Sequence, residues 1–338
     1  MSRQVTIKDV ARHCGYSFKT VARVIARHPT VADEIRAKVF ESIQELGYEP
    51  NIAARNLRGG TSYVIGLVYE NPVADVQTGA LRACEQAGYF LQIMPARKDA
   101  ADLAANLVHV YRRQRLAGML LTPPFSENSG LVKELIAEEV ALALIISARE
   151  APATNLPTAF VDDFHAACQV TRHLIDRGHR RIGFIWGDPV HGSSRERHAG
   201  YRQALLESGI KPDAALEVAG EYTFAAGLSG AQQLLGLRKR PTAIIGSNDE
   251  IAAGALVKCQ MAGLKVPDDV AIAGFENSRF SQQAWPPITT ASQPTELIAQ
   301  CATELLLAQL ATPARSTSPP KLTPGFTPEL LVRASTAG

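Results

Sequence analysis

The stretch VTIKDVARHCGYSFKTVARVI, residues 5–25, has the pattern of two short helices joined by a tight turn. Thr6 and Asp9 have the spacing of a capping box at the start of the first helix. Gly15 comes directly after that helix, and glycine readily adopts the left-handed conformation in which many helices end. The stretch therefore predicts a helix, a turn and a second helix.

Two more helices complete this part of the chain. Ser17 can cap a helix over residues 18–26, whose valine and isoleucine side chains form one apolar stripe. A third helix is predicted over residues 33–46, with Gly47 closing it. Three short helices, the first two joined by a glycine turn, predict a helix-turn-helix unit.

From Val64 onward, short apolar runs alternate with amphipathic stretches of helix length. The runs have the length of strands, and they are VIGLVY, FLQIMP, GMLLTP, ALALIIS, AFVDD, RIGFIWG, TAIIGS and VAIAGF. Apolar residues recur at three- and four-residue spacing between them, for example in 76–86, 101–113, 166–177, 193–207 and 251–262. Alternating strands and helices predict parallel sheets with helices on both faces, and eight runs favour two sheets over one.

Length, composition and charge agree with this division. The chain has 338 residues, of which 46% are hydrophobic and 20% charged, so more than one folded unit is expected. Residues 1–60 hold ten Lys and Arg against six Asp and Glu, whereas the remainder holds 25 against 27. A small basic unit joined to a nearly neutral body indicates that the basic unit faces a polyanion.

Several classes of protein lack support in the sequence. There is no apolar stretch long enough for a membrane helix and no apolar signal peptide at the start, so a cytoplasmic location is expected. Five cysteines without metal-ligand spacing are expected to be reduced thiols, mostly buried, and no metal site is predicted. GxxxxGK[ST], GxGxxG and HExxH are all absent, so no cofactor is predicted.

The second helix of a helix-turn-helix enters the major groove of DNA, where its first residues reach base edges. Here those residues are Phe18, Lys19 and Arg23. Lys19 and Arg23 can donate to guanine, and Phe18 can contact a thymine methyl group or a sugar. From this pattern alone, a small helical bundle with a solvated basic face is the alternative.

Longer motifs favour the DNA-binding interpretation. The segment VTIKDVARHCGYSFKTVARVI, followed by ELGYEPNIAARNLRGG, resembles the DNA-binding head and hinge of the LacI/GalR family of bacterial transcription regulators. The resemblance continues through VDDFHAA, RGHRRIGFI, SSRERHAGYRQAL, SNDEIAAGAL, GLKVPDDVAIAGFE and LVRAST. It implies an α/β fold with two doubly wound parallel-sheet subdomains, similar to a periplasmic binding protein, preceded by a small all-α helix-turn-helix domain.

The resemblance also implies an organisation of the chain. We expect a helix-turn-helix domain over 1–48, a hinge helix and linker over 49–61, and an effector-binding and dimerisation domain over 62–338. Within the last, the N-subdomain is expected over 62–161 plus 293–323 and the C-subdomain over 162–292 plus 324–338. The chain ends at LVRASTAG without a leucine-rich extension, so a homodimer rather than a tetramer is expected on palindromic double-stranded operator DNA.

Resemblance to the family implies two sets of DNA contacts. Residues 51–58 would form the hinge helix, with Leu57 inserted as an apolar wedge into the central base step from the minor groove. The implied DNA-binding residues are Thr6, Ser17, Phe18, Lys19, Thr20, Arg23, Asn51, Ala54, Arg55, Leu57 and Arg58. Ala22 and Ala26 stand where the family usually has polar residues suited to phosphate contact, so this chain departs from the family pattern at two positions of the head.

The implied effector site lies beyond the carboxyl ends of the strands, where ligands of such sheets bind. Its residues are Asn71, Asp75, Asp163, Arg197, Tyr222, Asn248, Glu276 and Gln293. Carboxylate, amide and guanidinium groups around an aromatic ring suit a polyol, so a small sugar or sugar phosphate is the expected effector. Val73 and Ala74 replace a common aromatic pair and Glu276 replaces the usual Asp, which keeps a nucleoside or purine open.

The resemblance and a sugar effector together imply a repressor of a carbohydrate-use operon whose operator affinity the effector changes, and two rival functions have less support. Asp188, His191 and Ser193 are close in sequence, as in a hydrolase, but no GxSxG elbow occurs and three residues of one loop rarely form a triad. A solute-binding protein shares the expected body but needs a signal peptide and no basic head. We therefore expect a regulator with no catalytic residues.

Overall fold

The fold is described from a computed structural model, which covers residues 5–25, 31–48, 62–71, 74–146, 156–311 and 325–337. The chain divides into two compact units, Met1–Tyr63 and Val64–Gly338, called here the head and the body. The predicted hinge helix lies outside the described residues. Among the described residues, no helix is both long enough and apolar enough to cross a bilayer.

The head contains three helices, as the sequence predicts. They are α1 (Ile7–Cys14), α2 (Phe18–Ile25) and α3 (Asp33–Leu46). Gly15 and Gly47 follow α1 and α3 with φ of 76° and 57°, the left-handed conformation expected of glycine at these positions. A small core of buried side chains joins the helices, and it consists of Val10, Cys14, Val21, Val24, Val39 and Tyr48.

The first sheet of the body has five parallel strands in the order β2-β1-β3-β4-β5. The strands are β1 (Val64–Tyr69), β2 (Phe90–Pro95), β3 (Gly118–Leu121), β4 (Leu142–Ile146) and β5 (Thr158–Phe160). The helices between them are α4 (Ala74–Ala87), α5 (Leu103–Gln114) and α6 (Ser129–Ala137). Ile65 and Leu67 pack on the face that α4 covers, and Val68 packs on the face of α5 and α6, as the two-residue period of a strand requires.

The second sheet has six strands in the order β11-β10-β9-β8-β6-β7. They are β6 (Ile182–Ile185), β7 (Glu217–Val218), β8 (Ala243–Gly246), β9 (Ala271–Phe275), β10 (Thr289–Ser292) and β11 (Glu329–Leu331). Its helices are α7 (Asp163–Asp176), α8 (Gly192–Glu207), α9 (Phe224–Leu235), α10 (Asp249–Met261) and α11 (Arg279–Gln283). All strand pairs are parallel except that of β11 with β10, so the last strand runs against the others at one edge.

The last long helix, α12 (Thr295–Ala311), follows the second sheet but packs on the first. Its closest neighbour is α4, and a β-carbon at Gly79 of α4 would overlap the carbonyl of Glu296. A side chain at Gly79 would therefore separate the two helices. We call the first sheet with α4–α6 and α12 the first lobe, and the second sheet with α7–α11 the second lobe.

The chain crosses between the lobes beside β5. It leaves the first lobe after Val161, returns to it before α12, and passes Val161 again at Phe326 before it reaches β11. The Asp162 amide donates to the Phe326 carbonyl at 3.0 Å, and the Phe326 amide donates to the Phe160 carbonyl at 2.8 Å. These crossings place the start of α7 where the two lobes are joined. The subdomain ranges given from the sequence stay a prediction.

Candidate DNA-reading helix and ligand cleft

Helix α2 is amphipathic, and its outward face carries the predicted base-reading residues. Val21 and Val24 are buried in the head core, whereas Phe18, Lys19 and Arg23 are exposed. Within the described part of the chain, no hydrogen bond or ion pair holds the side chains of Lys19 and Arg23. The core fixes the rotation of the helix, and the two cations therefore point away from it.

Three other residues that are predicted to contact DNA form hydrogen bonds at the starts of α1 and α2. The Thr6 hydroxyl donates to Asp9 Oδ2 at 2.6 Å, and the Thr6 amide donates to the same carboxylate at 2.9 Å. At the start of α2, the Thr20 amide donates to Ser17 Oγ at 3.1 Å, and the two hydroxyls lie 2.9 Å apart. Their part in DNA binding stays a prediction. The remaining predicted contacts lie outside the described residues: Asn51, Ala54, Arg55, Leu57 and Arg58.

The body brings four of the predicted effector residues into one hydrogen-bonded group, called here the cleft cluster: Asp163, Arg197, Glu276 and Gln293. Arg197 Nε donates to Asp163 Oδ1 at 2.7 Å, and Arg197 Nη1 donates to Glu276 Oε1 at 3.2 Å. Gln293 Nε2 donates to the same Asp163 oxygen at 2.8 Å. Asp163 begins α7, Glu276 follows β9 and Gln293 follows β10, so the carboxyl ends of two strands and the first crossing meet at Arg197.

Arg197 is almost fully enclosed, with 2% of its surface exposed. Its Nη1 also donates to the Ser247 carbonyl at 2.5 Å, and its guanidinium lies over the Phe275 ring at 4.9 Å. Burial disfavours the positive charge, but the charges and hydrogen bonds of Asp163, Tyr222 and Glu276 together outweigh this and raise the pKa of Arg197 above its ordinary value. A charge buried this way is stable only because its partners are in place.

For Glu276, the surroundings favour the neutral form rather than the charged one. Burial in the cleft raises the pKa of its carboxyl to about 7, although the Arg197 guanidinium acts to lower it. Asp249, which is buried close by, adds to the increase through charge repulsion. Glu276 therefore gains and loses its proton near neutral pH while it faces Arg197.

The backbone around Glu276 is held in an unusual conformation. Glu276 and Asn277 have φ of 101° and 56°, values that non-glycine residues rarely adopt. The Asn277 amide donates to Thr290 Oγ1 at 3.2 Å, and the Ser278 amide donates to Asp249 Oδ2 at 2.7 Å. Backbone strain of this kind persists only where neighbouring groups fix it, and here it aims the Glu276 side chain at Arg197.

Tyr222 and Asn248 lie beside the cleft cluster. The Tyr222 hydroxyl lies 2.9 Å from Ser193 Oγ, near the start of the helix that carries Arg197, and its ring lies against Gly187. Asn248 caps α10 by accepting from the Ile251 amide at 2.9 Å. Asn248 thus has a structural role in its own loop as well as a place beside the cleft cluster.

Asn71 and Asp75 are not part of the cleft cluster. Both are exposed on the first lobe, and no hydrogen bond or ion pair of the described residues joins them to Arg197. The sequence interpretation placed both in a loop after β1, which is correct for Asn71 but wrong for Asp75, because Asp75 lies in the first turn of α4. Val73, which lies between them, is outside the described residues.

The sequence interpretation missed several residues that join the lobes across the cleft. Lys98 pairs with Asp188, and the Gly192 amide donates to Glu127. Asp188 was considered only as part of a hydrolase triad. Lys98, Glu127 and Asp188 follow β2, β3 and β6, so their position after strand ends was the available signal.

The described side chains give no triad and no metal centre. Ser193 Oγ bonds to Tyr222, and Asp188 bonds to Lys98 and to the Val190 amide. No group of three or more His, Cys, Asp or Glu side chains among the described residues is arranged to hold a metal ion. All five cysteines are free thiols, four of them buried.

Comparison with known proteins agrees with this geometry. Residues 6–51 match the family model of bacterial regulatory proteins of the lacI family, and residues 171–336 match a periplasmic binding protein-like domain. The ribose operon repressor of Haemophilus influenzae is 32% identical over 91% of this chain and 92% of its own length. The chain belongs to the LacI family. The repressor PurR of Photobacterium profundum is 30% identical to this LacI-family regulator, over 89% of this chain and 91% of its own.

Solved structures give the same result for the fold. The lac repressor dimer bound to operator and the anti-inducer ONPF has a TM-score of 0.75 and 25% identity, and covers 99% of this chain and 100% of its own. The complex of the transcriptional regulator CelR with cellobiose has a TM-score of 0.74 and 27% identity, and the match covers 98% of this chain and 100% of the CelR chain. The predicted fold class is confirmed: an α-helical DNA-binding head precedes two parallel-sheet subdomains. The protein is a DNA-binding transcription regulator.

Glu276→Gln tests the titration of the cleft carboxyl. The folded pKa of Glu276 is raised to about 7 from an ordinary value of 4.5, so its contribution to stability is greatest at low pH and falls as pH rises between these values. Glutamine cannot ionise. We expect the urea midpoint of the variant to improve relative to the parent protein between pH 5 and pH 8.

A matched control is Glu138→Gln, which changes a half-exposed carboxylate of the first lobe. Its midpoint should follow that of the parent protein over the same pH range. If the Glu276→Gln and parent curves run parallel, Glu276 does not titrate in this interval.

Proposed function

We propose that this LacI-family regulator is a repressor of carbohydrate-use genes and that a small neutral sugar in the cleft changes its operator affinity. In this proposal it acts in the cytoplasm as a homodimer on palindromic double-stranded DNA, and it is not an enzyme. The observation that carries the proposal is the enclosed cleft cluster, because it ties the ligand-facing carboxyl ends of the second sheet to the segments that join the lobes.

The charges of the cleft favour a neutral ligand over a sugar phosphate. Arg197 is already paired with Asp163 and Glu276, and the ammonium of Lys98 is paired with Asp188. A phosphate group would have to take one of these cations from its carboxylate, at the cost of leaving that carboxylate without its partner. Hydroxyl groups both donate and accept, so a polyol can add to the existing network.

A purine or nucleoside is the second candidate for the effector. The observation that favours it is the Tyr222 ring, which lies at the cleft with its hydroxyl fixed by Ser193. An aromatic face of this kind suits a flat base as well as the apolar face of a sugar.

Contacts with DNA are proposed for two surfaces. The exposed side chains of Phe18, Lys19 and Arg23 on α2 suit the major groove. Leu57 and the arginines of the hinge stay proposals based on family resemblance. In a dimer the two hinges meet at the centre of the site, which requires a palindrome and favours a central CG step.

Switching requires that the ligand have different affinities for two arrangements of the lobes. A ligand bonded to both Arg197 and the first lobe would favour one arrangement. Because the chain crosses between the lobes three times beside Asp163, a change in lobe arrangement moves the start of the first lobe, to which the head is connected. This is the proposed route from cleft to operator.

Selection of a binding site from random duplexes tests the DNA-binding part. We expect the full chain to recover a palindrome, and Lys19→Ala/Arg23→Ala to lose at least about 30-fold in affinity for it, because each of the two base contacts contributes about 1–3 kcal/mol. Arg97→Ala removes an equally exposed cation from the body and should bind as the parent protein does. Equal binding by all three proteins would contradict the assignment of α2.

Ligand class is tested by thermal stabilisation with a panel of neutral sugars, their phosphates, nucleobases and nucleosides. We expect a neutral sugar to raise the melting temperature of the full chain and a Tyr222→Leu variant to lose that increase while keeping operator affinity. Tyr111→Leu changes a partly buried tyrosine of the first lobe and should keep the response. Stabilisation by nucleobases alone would favour the purine alternative, and stabilisation by phosphates alone would contradict the neutral ligand.

A further inference from the structure

The two lobes touch across the cleft through residues outside the cleft cluster. They lie on three loops, after β2, β3 and β6, at the carboxyl ends of their strands. The first two loops belong to the first lobe and the third, residues 188–192, belongs to the second. We call residues 188–192 the latch loop.

Each end of the latch loop is bonded to the first lobe. Lys98 Nζ donates to Asp188 Oδ2 at one end. At the other end the Gly192 amide donates to Glu127 Oε2 at 2.5 Å. Gly192 is also the first residue of α8, so the Glu127 carboxylate lies at the positive end of a helix, where a negative charge is stabilised.

Internal bonds make the latch loop stiff. Asp188 Oδ1 accepts from the Val190 amide at 2.9 Å, and the His191 amide donates to the Asp188 carbonyl at 3.1 Å. From within α8, Arg195 Nη1 donates to the Pro189 and Val190 carbonyls at 2.6 and 3.0 Å. Because the loop is stiff, a displacement at either end moves the whole segment.

The absence of a side chain at Gly192 is required by the contact with Glu127. A β-carbon at Gly192 would lie 2.6 Å from Glu127 Oε1, well inside van der Waals distance. The close approach of the carboxylate to the helix end therefore depends on glycine at this position.

We propose that Lys98, Glu127, Asp188 and Gly192 form a latch by which the protein itself holds the cleft closed, and that they position the latch loop and the start of α8 for ligand binding. Both arms have a carboxylate acceptor, which strengthens a hydrogen bond. The Lys98 pair is the weaker one, since 41% of Lys98 and 24% of Asp188 are exposed.

The latch affects the cleft through α8. Ser193, which bonds to the Tyr222 hydroxyl, directly follows Gly192 in the chain. Arg197 lies between one and two turns beyond Gly192 on the same helix. A chain that spends more time closed presents these groups in binding geometry more often, which raises its apparent affinity for a ligand. This consequence rests on the ligand-responsive function proposed above, whereas the latch itself does not.

Two variants open the latch by different means. Lys98→Met/Glu127→Gln removes the charges of the first lobe while keeping similar side-chain sizes, and Gly192→Ala forces the Glu127 carboxylate away without changing any charge. The matched controls are Arg97→Met/Glu138→Gln, which changes two exposed ion pairs within the first lobe, and Gly130→Ala, which changes an exposed glycine in the first turn of α6.

Hydrogen–deuterium exchange of the full chain, without DNA or ligand, gives the decisive measurement. We expect Lys98→Met/Glu127→Gln to increase exchange in residues 186–195 of the other lobe about tenfold, as for the loss of one charged hydrogen bond. Gly192→Ala should increase exchange in residues 94–100 and 122–129 of the first lobe. Small-angle scattering should give a larger radius of gyration for both variants, and the controls should match the parent protein.

Exchange that rises only in the mutated segment, with an unchanged radius of gyration in both variants, would overturn the latch. Because neither DNA nor ligand takes part, failure here leaves the proposed function untouched. Failure of the ligand panel equally leaves the latch untouched.

Discussion

The ion pair between Arg197 and Asp163 is the interaction on which the body depends. It lies where the chain passes from the first lobe to the second, and 2% of the Arg197 surface is accessible to solvent. Removing both charges from water carries a large desolvation penalty, which is offset only while the surrounding bonds from Gln293 and to the Ser247 carbonyl are complete. A change in the arrangement of the lobes therefore acts on a group that tolerates little disturbance.

This constraint explains why the site combines strain with order. The left-handed backbone at Glu276 and Asn277 would be unfavourable in isolation, but amide donation from Asn277 and Ser278 to the buried Thr290 and Asp249 side chains fixes it. The Glu276 carboxyl then faces Arg197 with a pKa near 7. A pKa in this range lets protonation of Glu276 change the net charge of the cleft by one unit near neutral pH.

Much of the fold follows from the sequence because its signals are local. The helix over Asp33–Leu46 and the strand over Val64–Tyr69 were predicted with the bounds observed, since the apolar pattern defines both and Gly47 ends the helix. Strand β10 (TTAS) was not predicted, because its two threonines are polar and satisfy their hydrogen bonds inside the fold, Thr289 with the C-terminal segment and Thr290 with Asp249. Residues distant in sequence therefore determine whether such a segment forms a strand.

The same difference between local signals and partners distant in sequence applies to the cleft. Family resemblance indicated Asp163, Arg197, Glu276 and Gln293, which the structure joins in one cluster. Asn71 and Asp75 lie apart from it. Lys98 and Glu127 lie after strand ends, which the sequence indicates, but their partners are 90 and 65 residues away along the chain, and a single sequence does not show which residues pair.

A double-mutant cycle on Arg197→Met and Asp163→Asn tests most directly whether this buried pair holds the body together. Each single substitution should lower the free energy of unfolding by about 3–5 kcal/mol, because it leaves one buried charge without its partner. The double variant should lose much less than the sum of the two. Additive losses, equal to the sum within about 0.5 kcal/mol, would show that the two residues act independently and would contradict the account.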